Sequence, residues 1–177
     1  MASAAVLPGK PGTERPAVRL REAELSDALA LSELYAAVAA GTGTVADEAH
    51  VSGAAPERAT PSQAQMRAWL TSCGVLLVED ATGKPLAAVR YKSSPAGWDV
   101  DRIATLPSER GQGYGRWLMT KLEALAIRGN VKLLTIDVEE PSLLPYYRRM
   151  GYRAEADHPL RLSKKVGGMW QRQEVTR

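Results

Sequence analysis

The stretch that decides the fold runs from Trp98 to Arg128 and reads WDVDRIATLPSERGQGYGRWLMTKLEALAIR. Its first nine residues, 98–106, are rich in β-branched side chains and predict a strand. Pro107 ends that strand, because proline cannot donate a hydrogen bond to a neighbouring strand. From Tyr114 onward the apolar residues recur at helical spacing. The stretch therefore predicts a strand, a tight loop and a long helix.

The loop is basic and rich in glycine: Arg110-Gly111-Gln112-Gly113-Tyr114-Gly115, followed by Arg116. Glycines allow a positive φ and let the backbone come close to a ligand. The start of a helix offers unpaired N–H groups and a partial positive charge, which together suit a phosphate or pyrophosphate. A dinucleotide fingerprint is excluded because Arg116 stands where its third glycine belongs, and the chain has no Gly-Lys-Ser/Thr of a P-loop. A glycine-rich turn that binds nothing is the alternative.

The pattern Arg-x-x-Gly-x-Gly between a strand and a helix resembles the acetyl-CoA signature of the GCN5-related N-acetyltransferase (GNAT) superfamily. The resemblance implies that the loop amides hold the pyrophosphate of coenzyme A, and that the backbone of Ala104 and Thr105 contacts the pantetheine arm where two strands part. The cofactor-binding residues that it implies are Ala104, Thr105, Arg110, Gly111, Gln112, Gly113, Tyr114, Gly115 and Arg116. Arg128 and Gly129 are expected to end the long helix, with the glycine at the C′ position.

A second segment, Leu143–Tyr152, resembles the family's motif of two aromatic residues, three further residues, a glycine and another aromatic residue. The resemblance assigns Tyr147 to the thioester sulfur. A phenol with an ordinary pKa of about 10 stays protonated and can give its proton to a departing thiolate. Alternatively, Tyr147 and Met150 are only a pair of core side chains. Many members carry an asparagine where this chain has Glu140, so that contact is not carried over.

Acetylation of an amine also needs a group that takes the proton of the ammonium. The resemblance places acidic residues at Asp99 and Asp101, and Asp99 is the predicted base. Strand alternation would put Asp99, Asp101, Ile103 and Thr105 on one face, where two neighbouring carboxylates could raise the pKa of one of them. The alternative is that both acids are ordinary solvated charges.

The whole chain predicts a mixed α/β fold, with a mostly antiparallel central sheet of about six to seven strands and helices on both faces. Residues 1–16 are expected to be a loose tail, and residues 17–177 a single acetyltransferase domain. Three shorter helices are expected, capped by Ser26, by Thr60 with Pro61 at the first helical position, and by Ser142. Residues 41–59 form a long segment without periodicity.

Composition limits the function further. A formal net charge of +3 without a basic stripe argues against a nucleic-acid partner. A single cysteine, Cys73, excludes an intrachain disulfide and favours a reducing, cytoplasmic location. No signal peptide or membrane span is expected. The scattered positions of His50, Cys73 and His158 suggest no metal site.

The sequence therefore predicts a cytoplasmic enzyme that uses acetyl-CoA as cosubstrate, without a metal, and transfers acetyl directly to a primary amine of a small molecule. Two alternatives are a protein lysine or N-terminal acetyltransferase and a coenzyme A-binding module without catalysis. The resemblance also makes a homodimer possible. Five acids are expected near the acceptor side of the cleft and would favour a cationic amine bound near residues 41–59: Asp47, Glu48, Asp99, Asp101 and Glu140. Scattered solvated acids are the alternative.

Overall fold

A computed structural model describes residues 17–40, 60–138 and 141–167 of the chain. The strands are β1 (Val18–Glu22), β2 (Gly74–Asp80), β3 (Pro85–Ser94), β4 (Gly97–Thr105), β5 (Leu133–Asp137), β6 (Arg153–Ala154) and β7 (Arg161–Lys165). The helices are α1 (Ala28–Ala40), α2 (Gln63–Ser72), α3 (Tyr114–Arg128) and α4 (Leu144–Arg149). Short 3₁₀ turns lie at Leu25–Asp27, Pro107–Glu109 and Pro141–Leu143. The predicted tail and the segment 41–59 lie outside the described residues.

The seven strands form one sheet in the order β1-β2-β3-β4-β5-β7-β6. Every neighbouring pair is antiparallel except β4 and β5, which run parallel. Helix α1 packs on α2 and contacts β3 and β4, whereas α3 contacts β2, β3 and β4. Because both faces are covered, the central strands are continuous apolar runs, such as the buried residues 75–78 of β2. The predicted fold class, a mostly antiparallel sheet between helices, is confirmed.

Two predicted helix starts were misplaced. The cap at Ser26 is wrong: α1 follows a 3₁₀ turn in which the Asp27 carboxylate accepts from the backbone N–H of Glu24 at 2.7 Å. Arg21 donates to both oxygens of that carboxylate, at 2.7 and 2.8 Å, and so orients it at the helix start. At α2 the cap is Ser62, not Thr60, and its oxygen accepts from the N–H of Gln65 at 3.2 Å.

The ends of α3 and α4 also differ from the predictions. Gly129 has an ordinary φ of −78°, and Asn130 is the residue that takes a left-handed φ of 57°. Asparagine tolerates this conformation better than most residues, so the chain turns one position later than predicted. Ser142 does not cap α4, because it lies inside the 3₁₀ turn that leads into that helix, and Leu143 holds the cap position.

Strand β4 has one extra residue in its pairing with β3, because Gly97–Thr105 lies opposite the shorter stretch Ala87–Ser94. Arg90 pairs with Arg102, but the next residue of β3, Tyr91, pairs with Val100, so Asp101 is the extra residue of a β-bulge. Residues directly opposite each other in a ladder share a face of the sheet. Asp99 lies opposite Lys92, whereas Ile103 and Thr105 lie opposite Val89 and Ala87. The prediction of a single face for Asp99, Asp101, Ile103 and Thr105 is therefore wrong, because the bulge reverses the alternation after Asp101.

A buried ion pair holds the bulge in place. The guanidinium of Arg90, which is fully buried, donates to both carboxylate oxygens of Asp101 at 2.7 and 2.6 Å. Lys92 reaches the same carboxylate at 2.8 Å, and the Arg90 guanidinium lies 3.8 Å from the ring centre of Trp69. Asp101 is therefore not a solvated charge. Its carboxylate compensates a cation that would otherwise be costly to bury.

We expect Asp101→Ala to lower the free energy of unfolding by about 3 kcal/mol, because it leaves the buried Arg90 without its carboxylate partner. Asp137→Ala is the matched control, since that side chain is half exposed, and it should cost less than about 1 kcal/mol. Urea unfolding monitored by circular dichroism measures both. Equal losses for the two variants would show that the pair contributes no more than a surface ion pair.

Candidate functional site

The central feature of the site is a gap between β4 and β5. The two strands pair only from Trp98/Leu134 to Val100/Ile136, so the ladder stops at the residue before the bulge. Because the strands are parallel, their carboxyl ends lie at the same edge of the sheet. The loop after β4 and helix α4, which follows β5, are therefore brought to one edge, on either side of the gap.

The backbone of β4 offers donors to this gap. Leu106 donates its N–H to the carbonyl of Leu86 at 2.9 Å, which fixes the alternation of hydrogen-bonded pairs between β3 and β4. By that alternation Ala104 bonds to β3, while the N–H groups of Ile103 and Thr105 point away from β3 and into the gap. Of the two residues that the resemblance assigns to the pantetheine arm, Thr105 presents its N–H to the gap, whereas Ala104 does not. Ile103, which was not predicted, presents its N–H in the same direction as Thr105, because the bulge that sets this pattern leaves no mark in the sequence.

The glycine-rich loop begins helix α3 with an open, concave backbone. Gly111 and Gly113 have φ of 75° and 82°, in the region that favours glycine. A β-carbon added at either residue would meet no atom of the described residues within 4 Å, so the described part of the chain leaves space in front of the loop. Gly113 is the N-cap residue, so the N-cap position itself supplies no side-chain hydrogen bond to the helix. The first turn of α3 can therefore bind an anionic group through its backbone.

The other loop residues divide into anchors and exposed groups. Tyr114 and Gly115 are buried in the core, which fixes the start of α3. Arg110 is half-buried, while Gln112 and Arg116 are exposed. Both arginines stand within a few residues of the open backbone, so the loop combines fixed N–H donors with nearby positive charge. This is the arrangement that a pyrophosphate requires.

Tyr147 lies on α4 and is completely buried, yet its hydroxyl has no hydrogen-bond partner among the described residues. Its ring packs edge-on against Tyr146 and Tyr152, with ring centres 5.1 and 6.1 Å apart. Burial raises the pKa of the Tyr147 phenol far above its ordinary value, so the group stays protonated and can act only as a donor or a neutral acceptor. Met150 packs on the same core, so Tyr147 also has the packing role considered above.

Asp99 and Asp101 each have cationic partners of their own. Asp99, whose side chain is 40% exposed, accepts hydrogen bonds from Thr135 and from Arg161, the latter at 2.9 Å. Arg161 also contacts Asp137 at 2.8 Å and Glu155 at 3.7 Å, and these contacts were not predicted. Since Asp101 is bound by Arg90 and Lys92, the two acids are not the isolated like-charged pair that was expected to raise a pKa.

Some predicted features cannot be placed. Asp47, Glu48 and Glu140 lie outside the described residues. Within residues 17–40, 60–138 and 141–167, no group of three or more His, Cys, Asp or Glu side chains is arranged to hold a metal ion. No helix in the described part of the chain combines the length and the apolar character that a membrane crossing requires.

Comparison with known proteins gives one family. The model of the Acetyltransferase (GNAT) family matches residues 45–152, more than half of the chain. No curated protein sequence matches the chain.

Several solved structures share the fold. The ribosomal-protein-S18-alanine N-acetyltransferase of Escherichia coli aligns with a TM-score of 0.63 at 12% identity, over 88% of this chain and 97% of the other. The PaiA N-acetyltransferase of Thermoplasma acidophilum, solved with coenzyme A, gives 0.64 at 12% identity over 84% and 99%. A GNAT family acetyltransferase of Brucella melitensis, solved with acetyl-CoA, gives 0.61 at 14% identity over 84% and 87%. At these identities the likeness establishes the fold.

We expect Tyr147→Phe to raise the free energy of unfolding by about 1 kcal/mol in the absence of any ligand, because a buried hydroxyl without a partner costs about 1–3 kcal/mol. Tyr91→Phe, at a half-buried side chain, is the control and should change stability by less than about 0.5 kcal/mol. Chemical denaturation of both variants provides the comparison. A loss of stability in Tyr147→Phe would mean that the hydroxyl is already satisfied inside the protein.

Proposed function

The chain belongs to the GNAT acetyltransferase family, and from that membership we propose that it is an acetyl-CoA-dependent N-acetyltransferase acting on a primary amine of a small molecule. The observation that carries the proposal is the gap between β4 and β5, which is open at the edge where the glycine-rich loop and α4 follow their strands. At this edge, the start of α3 has the backbone geometry that suits an anion, and α4 carries the buried phenol of Tyr147.

Acetyl-CoA would lie along this edge as an extended ligand. The backbone of residues 111–115 would hold the pyrophosphate, with Arg110 and Arg116 as counter-charges. The N–H groups of Ile103 and Thr105 would bind the pantetheine arm much as a neighbouring strand would. Two of the solved relatives contain coenzyme A or acetyl-CoA, which supports this choice of cosubstrate.

The transfer itself would be direct. The amine nitrogen attacks the thioester carbonyl, a C–N bond forms, and the C–S bond breaks as the thiolate leaves. Tyr147 gives its proton to the sulfur, and Asp99 takes the proton of the amine, directly or through water. An acetyl-cysteine intermediate is not part of the proposal, because Cys73 lies at the end of α2, away from both motifs in the chain.

The acceptor's charge is left open. Asp99 and Asp101 are the two described members of the acidic set, and both contact cations, so they give little support to a preference for cationic amines. A protein acceptor is the second candidate, favoured by the likeness to the ribosomal-protein-S18-alanine N-acetyltransferase of Escherichia coli. We infer a single domain over residues 17–177. The presence of only one cysteine favours a cytoplasmic location. A homodimer is also part of the proposal.

The proposal is tested by measuring thiol release from acetyl-CoA with three groups of acceptors: small amines of each charge, peptides with a free N-terminus, and peptides with an internal lysine. Turnover with a small amine, accompanied by a 42 Da mass increase of that amine, is the expected result (the mass of an acetyl group replacing a hydrogen). Turnover with peptides alone would favour the protein acetyltransferase. Tight binding of acetyl-CoA without turnover on any acceptor would indicate a binding module.

Gly113→Ala should weaken acetyl-CoA binding at least about tenfold, because its β-carbon would occupy the space in which the backbone approaches the phosphate. Gly83→Ala is a matched control: Gly83 has a φ of 86°, its added β-carbon also meets no atom within 4 Å, and it lies in the β2–β3 hairpin. Both variants place a side chain at a positive φ of similar size. Calorimetric titration should therefore show lost affinity only for Gly113→Ala, and equal affinities would remove the loop from the binding site.

Asp99→Asn should lower kcat/KM, because the amide cannot accept the proton of the amine. Asp137→Asn is the control, since Asp137 contacts the same arginine but has no role in the proposed chemistry. Initial rates of both variants with one amine separate the two. If both variants lower kcat/KM equally, Asp99 acts through Arg161 and the base lies elsewhere.

A further inference from the structure

The position of Tyr147 depends on a very short helix. Helix α4 has six residues, and a helix of this length is not stable by its own hydrogen bonds. Its N-cap residue is Leu143, which provides no side-chain hydrogen bond. Contacts with the rest of the fold must therefore hold α4, and with it the Tyr147 hydroxyl, in place.

One such contact comes from Lys164 on β7. Its ammonium donates to the Glu123 carboxylate on α3 at 2.7 Å and to the backbone carbonyl of Met150 at 2.7 Å. Met150 is the C-cap residue of α4, so the carbonyl that Lys164 binds is one that the helix itself cannot satisfy. Lys164 thereby connects the end of α4 to β7 and α3 at once.

This connection is more than a surface ion pair. The side chains of Lys164 and Glu123 are only 24% and 17% exposed. The ammonium also lies 5.4 Å from the ring centre of Tyr152, whose ring packs edge-on against Tyr147. Partly buried charges held by several donors and acceptors fix a geometry better than exposed pairs, which contribute little.

The link reaches Tyr147 through the backbone as well. The carbonyl of Tyr147 accepts the N–H groups of Met150 at 3.0 Å and of Tyr152 at 3.1 Å. Lys164 thus binds the carbonyl of Met150, whose own N–H is hydrogen-bonded to the Tyr147 carbonyl, and it lies beside one ring that packs against the Tyr147 side chain. If this contact is lost, α4 is free to shift, and a misplacement of about 1 Å can reduce a rate about 100-fold.

We propose that Lys164, paired with Glu123, is a positioning residue that sets the place of the Tyr147 hydroxyl for protonation of the leaving thiolate. The proposal rests on the proposed function, because it assigns Lys164 an effect that is exerted only through Tyr147. No proton passes through Lys164.

The test is a double-mutant cycle on kcat with wild-type, Lys164→Met, Tyr147→Phe and the double variant. Lys164→Met should lower kcat about tenfold in the wild-type background while the KM for acetyl-CoA changes less than about twofold. In the Tyr147→Phe background, where no hydroxyl remains to be positioned, the same substitution should change kcat by less than about twofold.

Two further variants serve as controls. Lys164→Arg keeps the charge and the donors and should recover part of the loss. Lys165→Met, at the exposed neighbouring position, should leave kcat unchanged.

Equal losses from Lys164→Met in both backgrounds would overturn the positioning role, because a merely structural residue does not depend on the Tyr147 hydroxyl. If Lys164→Met does not fold, Glu123→Gln in the same two backgrounds decides the question by the same criterion. Failure of the proposed function gives a different result: either the wild-type acetylates no amine, or Tyr147→Phe retains the full rate. Either outcome removes the acid role of Tyr147, and the positioning role with it.

Discussion

The ion pair between Arg90 and Asp101 is the constraint on which the site depends. It places a buried guanidinium in the sheet and compensates it with the carboxylate of the one residue that has no partner in the β3–β4 ladder. The free energy of burying the Arg90 guanidinium and the shape of the bulge are linked, because the cation can stay buried only if the Asp101 carboxylate is turned toward it. Pairing with β5 ends at the residue before the bulge, so the pair stands where the two strands begin to part.

The opposite end of the same two strands shows the contrast. A β-carbon at Gly97 would lie 2.3 Å from the carbonyl oxygen of Leu133, so only glycine lets β4 begin this close to β5. The strands are therefore in contact at one end and separated at the other. Since they are the one parallel pair of the described sheet, the open end gathers the loop that leads into α3 and the segment that leads into α4. A backbone site for an anion and a buried phenol are brought to one edge in this way, although they are more than 30 residues apart in the chain.

Much of this could be predicted from the sequence, where local patterns decide the structure. The helix Tyr114–Arg128 has the predicted bounds, because glycine punctuation and apolar spacing agree there. Family membership followed from two motifs and is confirmed by the family model.

The predictions failed where a tertiary contact overrides a local preference: Arg21 orients Asp27 at the start of α1, and Asn130 rather than Gly129 takes the left-handed turn. The bulge could not be predicted at all, since an extra residue in a ladder depends on the partner strand. Ile103, Arg161 and Lys164 were not predicted for the same reason, because the role proposed for each depends on a contact between distant elements.

The central claim is that the bulge opens the gap between β4 and β5, in which the backbone of β4 binds the pantetheine arm of acetyl-CoA. Amide hydrogen exchange, followed by NMR with and without acetyl-CoA, tests it most directly. The N–H groups of Ile103 and Thr105 point into the gap and should become strongly protected from hydrogen exchange when the cosubstrate binds. The N–H of Ala104 is bonded to β3 in either state and should change little. Unchanged exchange at Ile103 and Thr105 under saturating acetyl-CoA would contradict the claim, because the ligand would then lie elsewhere on the protein.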